Sequence, residues 1–486
     1  MNESKNFTYQ TRFTIKELGI SILDSYAKLH GSVEHHLFED LNKSLTVGSL
    51  KSEYLINHAI TARQFNAVRV SVEGKMAAAK ACRIENIDQL KEKVSSLEKK
   101  LFKIKNKKTR HQKNRSLASM KIRLEQLKLA HKKGPVSICF GGKKLFHAQH
   151  HLAENGYESF EDWKEDWKAV RSSEFFCLGS KDETSGNQTC VLTVDENQQY
   201  HLRLRLPDSL IKIYGIKYLI IPNIIFNYGH KEIFDALLAK KALSYRFKKD
   251  AKGWRVFISL SREKVPIVTE EVRGSIGVDI NEHHLAVTEI DAKGNPISKK
   301  TFPLSTYGKT TDQSKALIGD VCKEVIAFAK EKKKPIISER LDFKKKKASL
   351  KESATSKHAR MLSSFSYSLI LENIERKAFQ EGVAVFRVNP AMTSIIGRIK
   401  FSVRYGLSTH HAAALCIARR FFKFSEDPSK CPMKVVRKNV QVTCPLPERN
   451  PRQHVWKFWI DANRKLKTAL AAHSRKSPTP LHARVG

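Results

Sequence analysis

Apolar positions along the chain change their spacing near residue 134 and again near 270, and these changes divide it into regions. From about 52 to 133 the spacing is helical. Ile87, Leu90, Val94, Leu97, Leu101 and Ile104 step by three and four, as do Leu117, Met120, Leu124 and Leu127, so each run presents one apolar stripe. Two such stripes predict an antiparallel helix hairpin with a packed seam. Gly134-Pro135 ends it, as such a dipeptide does. From there to about 266 the pattern favours strands, predicted at 191–194, 200–206, 218–226 and 254–260 with one helix at 159–171. His201-Leu202-Arg203-Leu204-Arg205-Leu206 buries one face and leaves the other cationic, a pattern that suits backbone contact with nucleic acid or plain solvent exposure. Residues 1–50 are mixed, with a strand at 7–15.

Beyond 270 the elements alternate. Strands at 275–280, 285–290 and 296–302 precede a helix at 311–331, marked by Leu317, Val321, Val325 and Phe328. A strand at 335–339, a helix at 363–381 and a strand at 383–388 complete the run. Three meandering strands, then helix, strand, helix, strand, is the order of an RNase H-like fold, a mixed sheet with helices on both faces. After about Cys444 the chain reads as a basic tail of low order, with one amphipathic helix suggested by Trp456, Phe458 and Trp459.

Charge narrows the partner. The 486 residues carry 88 Lys and Arg against 49 Asp and Glu, a net charge of +39. Such an excess needs a polyanion to offset self-repulsion, and nucleic acid is the first candidate. An anionic membrane is disfavoured, because no run of 18 apolar residues and no N-terminal signal pattern occurs. Eight scattered cysteines with no C-x-x-C pair indicate reduced thiols in a cytoplasmic, nucleoid-associated protein. The hairpin tip concentrates the charge in Lys103, Lys105, Lys107, Lys108, Arg110, Lys113 and Arg115. Seven cations this close repel one another, which favours phosphate contact over a merely solvated turn.

Two acids are candidates for chemistry. In Ser275-Ile276-Gly277-Val278-Asp279-Ile280, Asp279 shares a strand face with Gly277, a residue that admits a ligand or a backbone. An ionised Asp inside a strand needs a partner, commonly a divalent metal; an Asp closing a surface hairpin is the other reading. About sixty residues on, Ile336-Ile337-Ser338-Glu339 delivers Glu339 to a strand end, ahead of Lys344, Lys345, Lys346 and Lys347. An acid beside a lysine run suggests metal chemistry on a polyanion. An actin-like ATPase is excluded for want of a Gly-rich second phosphate loop.

These segments, with Ser338-Glu339-Arg340-Leu341-Asp342-Phe343, Ser364-Phe365-Ser366-Tyr367, Arg376-Lys377-Ala378, Gly382 and Val388-Asn389-Pro390-Ala391-Met392-Thr393-Ser394, resemble TnpB, a family of transposon-encoded RNA-guided DNA nucleases related to type V CRISPR effectors. The resemblance is best over 270–425, about a third of the chain. It implies a multidomain α+β protein: a wedge β-barrel from 1–50 and 135–266, a helical recognition domain inserted at 51–134, a RuvC/RNase H-like domain at 270–425, and a basic tail at 426–486. Two departures stand out. Gly397 and Lys400 occupy places where the family has zinc-binding cysteines, so no zinc is expected and the ribbon reads as collapsed into 401–407. His410, with His411 beside it, stands where the family's third carboxylate falls. Ser408 as N-cap would put both imidazoles in a first helical turn, whose dipole lowers their pKa.

The resemblance implies an RNA-guided endonuclease of a transposable element with a two-metal site, two Mg²⁺ or Mn²⁺ ions bridged by Asp279, one of them held by Glu339, and His410 or His411 completing the centre. Its partners would be guide RNA and double-stranded target DNA. The other reading is a nuclease-dead relative that binds guided targets as a repressor or targeting module.

Overall fold

The computed structural model describes residues 4–102, 104–181, 186–197, 199–281, 283–340, 367–428, 433–437 and 440–476. Lys103 at the hairpin tip, the run Lys344 to Lys347 and the motif residues Leu341 to Ser366 lie outside the described residues. The chain divides into two compact units, Ser4–Arg262 and, together with Met1–Glu3, Glu263–Gly486.

The first unit opens with strand β1 (Ser4–Arg12) and four helices, α1 (Glu17–Asn42), α2 (Val47–Asn57), α3 (Ala62–Leu101) and α4 (Lys107–Lys133). The long α1 falls in a stretch that the apolar pattern left mixed. Its buried set includes two glycines, His30 and Glu34 as well as Ile22, Leu23, Val33 and Leu37, so its inner face is not a plain apolar stripe. The expected hairpin is α3 and α4, whose seam joins Ile87, Leu90 and Leu124 with Met120 and Leu127. Thr61 and Gln64 form a capping box at the start of α3, and Asn106 caps α4 by accepting from the Thr109 N–H. These caps satisfy N–H groups that have no partner within the helix.

Short helices α5 (Lys143–Ala148) and α6 (Phe160–Arg171) lead to β2 (Glu174–Cys177), β3 (Cys190–Val194), β4 (Tyr200–Arg205), α7 (Asp208–Tyr214), β5 (Tyr218–Ile224), α8 (His230–Leu238), β6 (Leu243–Asp250) and β7 (Gly253–Glu263). The strands form two sheets, ordered β1-β7-β6-β2 and β3-β4-β5. Both bury their apolar positions in one core, with Leu202, Leu204 and Ile221 from the smaller sheet and Phe175, Tyr245, Phe247 and Val256 from the larger. Period-two alternation thus turns His201, Arg203 and Arg205 outward.

The second unit is built on β8 (Ser275–Ile280), β9 (His284–Ile290), β10 (Pro296–Pro303), α9 (Thr311–Lys332), β11 (Ile336–Glu339), α10 (Tyr367–Glu381) and β12 (Val385–Val388). The sheet order is β10-β9-β8-β11-β12. The first three strands pair antiparallel, whereas β11 runs parallel to both β8 and β12. This is the expected RNase H-like order. Helices α9 and α10 pack on the face carrying Ile276, Val278 and Ile336. On α9 the buried stripe is Ile318, Val321, Cys322, Val325, Ile326 and Ala329, and Leu317, expected inside, is exposed.

The opposite face is covered by α11 (Thr393–Ile396), a π-helical turn at Gly397–Phe401 and α12 (Thr409–Phe421). Strands β13 (Met433–Arg437) and β14 (Val440–Cys444) form an antiparallel pair, followed by α13 (Val455–Lys476). The amphipathic helix suggested in the basic tail is thus present, and it is long and packed. Phe458, Trp459, Ala462 and Leu466 are buried, the first three in one cluster with Ile290, Phe401, Leu415 and Cys416.

Candidate active site

Parallel pairing of β11 with β8 aligns Ile336 with Ile276, Ile337 with Gly277 and Ser338 with Val278. One step further sets Glu339 beside Asp279, on the same face, at the C-terminal ends of adjacent strands. Backbones there are about 4.8 Å apart. Asp279 is 8% exposed, so the surface-hairpin reading of this acid does not hold. Gly277 admits a backbone rather than a ligand: a Cβ there would lie 1.9 Å from the Ala414 carbonyl oxygen. Helix α12 can therefore lie directly on the sheet, and its first turn projects over the strand ends. His410, one helical turn before Ala414, comes to Asp279 in this way.

His410 Nδ1 lies 3.1 Å from Asp279 Oδ2. A carboxylate accepts, so Nδ1–H donates to it, on a ring that is half-exposed. Asn281 Nδ2 donates to the same Oδ2 at 3.0 Å and to the Asp279 carbonyl at 3.2 Å. The His284 ring stands edge-on to His410, with centroids 5.1 Å apart. Burial and then the neighbouring His410 push the His284 imidazole below its ordinary pKa. Across the site, Thr393 Oγ1 donates to Glu339 Oε1.

His411 does not join this group. It follows His410 by about 100° of helical rotation and turns toward β10. Its Nε2 donates to the Lys300 carbonyl at 3.2 Å, and its Nδ1 lies 2.8 Å from Ser408 Oγ. Burial lowers its pKa, against a smaller raising effect of the Lys300 carbonyl. The direction is the one expected at a helix start, with burial its largest cause. Ser408 does cap the helix, accepting from the His411 N–H at 3.2 Å. Both ring nitrogens of His411 are thus engaged inside the fold.

Among the described residues no group of three or more His, Cys, Asp or Glu side chains is placed to hold a metal ion. Two neighbouring carboxylates nevertheless fit one hard cation of the Mg²⁺ kind, which is usually held by one or two carboxylates plus water and substrate phosphate. Gly397 packs against the Ala412 backbone and Lys400 donates to the Ser425 carbonyl.

Sequence reasoning missed Asn281, His284 and Thr393 as site residues. The first two were legible as a hairpin signal, since a tight turn after Asp279 must return its closing residue beside the strand end. Thr393 carried no local signal. The described residues among the expected nucleic-acid contacts belong to the first unit. Lys105, Lys107, Lys108, Arg110, Lys113 and Arg115 are all exposed at the α3–α4 tip. On the outer face of β3-β4-β5 the Arg203 guanidinium lies 4.9 Å from the centre of the Tyr218 ring, next to exposed Ile220.

No protein-family model and no curated protein matches the chain. Among solved structures it is similar to T. thermophilus RuvC in complex with a Holliday junction substrate, at 17% identity over 30% of this chain and 90% of RuvC, with a TM-score of 0.21. It is also similar to Cas12f1 in its complex with sgRNA and target DNA, at 13% identity over 86% of this chain and 99% of Cas12f1, with a TM-score of 0.24. A third, the Cas12i1 R-loop complex before target DNA cleavage, has 10% identity over 80% of this chain and 46% of Cas12i1, with a TM-score of 0.17. Scores of this size fix no residue-by-residue correspondence. No described helix is long and apolar enough to cross a membrane.

Proposed function

We propose that the chain is an RNA-guided, metal-dependent DNA endonuclease of the RuvC type, the accessory nuclease of a transposable element, with its centre at Asp279, Glu339 and His410. The observation that carries this reading is the pair of acids on adjacent parallel strand ends, with an imidazole hydrogen-bonded to one of them. A divalent cation held there would neutralise charge on the scissile phosphate and polarise its oxygens. Asp279 and Glu339 supply its protein ligands. Asp279 also holds His410 through Nδ1–H, so that Nε2 faces outward as the acceptor of a proton from the attacking water, as a carboxylate-oriented histidine does elsewhere. The basic tip and the Arg203–Tyr218 face support guide and target binding through phosphate contact and base stacking. Guide pairing would then read sequence while the protein reads backbone shape.

A second reading is favoured by one specific observation. No third carboxylate converges on the described site, which suits a relative that binds guided targets without cutting. The test is cleavage of supercoiled target DNA by protein purified with its native RNA, with Mg²⁺ or Mn²⁺. Cutting is expected, and Asp279→Ala and Glu339→Ala should each abolish it while guided binding persists. Guided binding without cutting, with cleavage gained in His410→Asp, establishes the second reading. Protein that carries no RNA removes the guided part of both.

A further inference from the structure

We propose that Thr393 is a positioning residue for Glu339, setting the carboxylate for the divalent cation; this rests on the reading above. The chain is built to bring this one hydroxyl to this one acid. Strand β12 pairs Val388 with Glu339, and the Arg340 N–H donates to the Val388 carbonyl at 2.7 Å. The chain then turns sharply. Asn389 Oδ1 accepts from the Ala391 N–H at 2.9 Å, and Met392 takes the left-handed conformation at φ 62°, which non-glycine residues seldom adopt. The turn returns Thr393, 1% exposed, to the end of β11.

Thr393 Oγ1 has one proton and two acceptors within reach, Glu339 Oε1 and, at 3.1 Å, the Pro390 carbonyl. A charged acceptor makes the stronger bond, so the hydroxyl orients Glu339 while the carbonyl remains its resting alternative. The turn is also clamped from behind. Arg420 on α12 donates to the carbonyls of Asn389 and Ala391 and pairs with Glu426. Gly397, just after α11, lies so close to α12 that a Cβ would come within 2.5 Å of the Ala412 carbonyl. The helix that presents His410 to Asp279 therefore also fixes the turn that presents Thr393 to Glu339. One rigid element sets both acids.

Groups that hold a ligating carboxylate change metal affinity by about 10- to 100-fold when removed. The test is Mn²⁺ binding to the RNA-free full-length chain, followed by loss of the free-ion EPR signal, with Glu339→Gln as the blank. Thr393→Val and Thr393→Ala should each weaken the Glu339-dependent site about tenfold or more, and Thr393→Ser should restore it. Two hydroxyl-free variants guard against one failing to fold. Wild-type affinity in either would show that Thr393 only closes the turn and would overturn the proposal. A wild-type chain with no Glu339-dependent Mn²⁺ site sinks the metal reading itself, and the role of Thr393 with it.

Discussion

Asp279 is set by three partners from three directions: Asn281 along its own hairpin, His410 from α12, and the backbone register that brings up Glu339. The two adjacent histidines differ in what they touch rather than in what they are. His410 presents Nε2 outward, whereas His411 spends both nitrogens on Ser408 and Lys300. Replacing each by alanine should therefore separate their roles. His410→Ala should lower the cleavage rate on the order of 10²-fold or more, with little change in melting temperature, as for a positioned proton acceptor. His411→Ala should instead lower stability by about 1–3 kcal/mol, the usual effect of leaving buried partners unsatisfied. Cleavage rates and thermal melts on the same preparations decide it, and equal rate losses with equal melts would reverse the assignment.

Helices α3 and α4 show an element whose two ends do different work. The seam of Ile87, Leu90 and Leu124 holds the hairpin together, while the tip carries cations that form no ion pair among the described residues. Neutralising Lys105, Lys107, Lys108 and Arg110 together should leave helicity intact. It should also reduce the slope of log affinity against log salt by up to about 3 to 4 on duplex DNA, as fewer counterions are released; an unchanged slope makes the tip a spectator. Helix α1 carries a different sensitivity. Burial, opposed by the nearby Glu34, pushes the His30 imidazole down to about 4. A base with a depressed folded pKa stabilises the fold while neutral, and that stability is lost as pH falls. The first unit should thus lose up to about 3 kcal/mol between about pH 6.5 and 4. His30→Leu should flatten this limb of the pH–stability curve, and an unaltered acid limb would show that other groups cause it.

At the scale of the molecule, the C-terminal helix is part of the second unit's core. Trp459 is 1% exposed and its indole N–H donates to the Glu426 carbonyl at 3.0 Å, while Arg420 links Glu426 to the turn beneath Glu339. Trp459→Ala should destabilise this unit by about 3–5 kcal/mol, as large-to-small core changes do. Chemical unfolding followed by fluorescence of the remaining tryptophans measures it. A loss below about 1 kcal/mol would mean that the helix merely rests on the surface.

The sequence by itself determined the order of strands and helices from 275 to 388, the basic hairpin and the two acids at strand ends. Each of these is written in the spacing of neighbouring residues, where period and turn chemistry act locally. It could not choose between His410 and His411, because the choice depends on how α12 is rotated over a sheet, and His410 meets Asp279 across 131 positions. Nor could it tell whether a backbone or a ligand fills the space beside Gly277, until the Ala414 carbonyl was found there. The role of Thr393 and the packing of α13 were hidden for the same reason. A hydroxyl or an apolar helix face has no meaning until its partner is in place, and that partner is supplied only by tertiary packing.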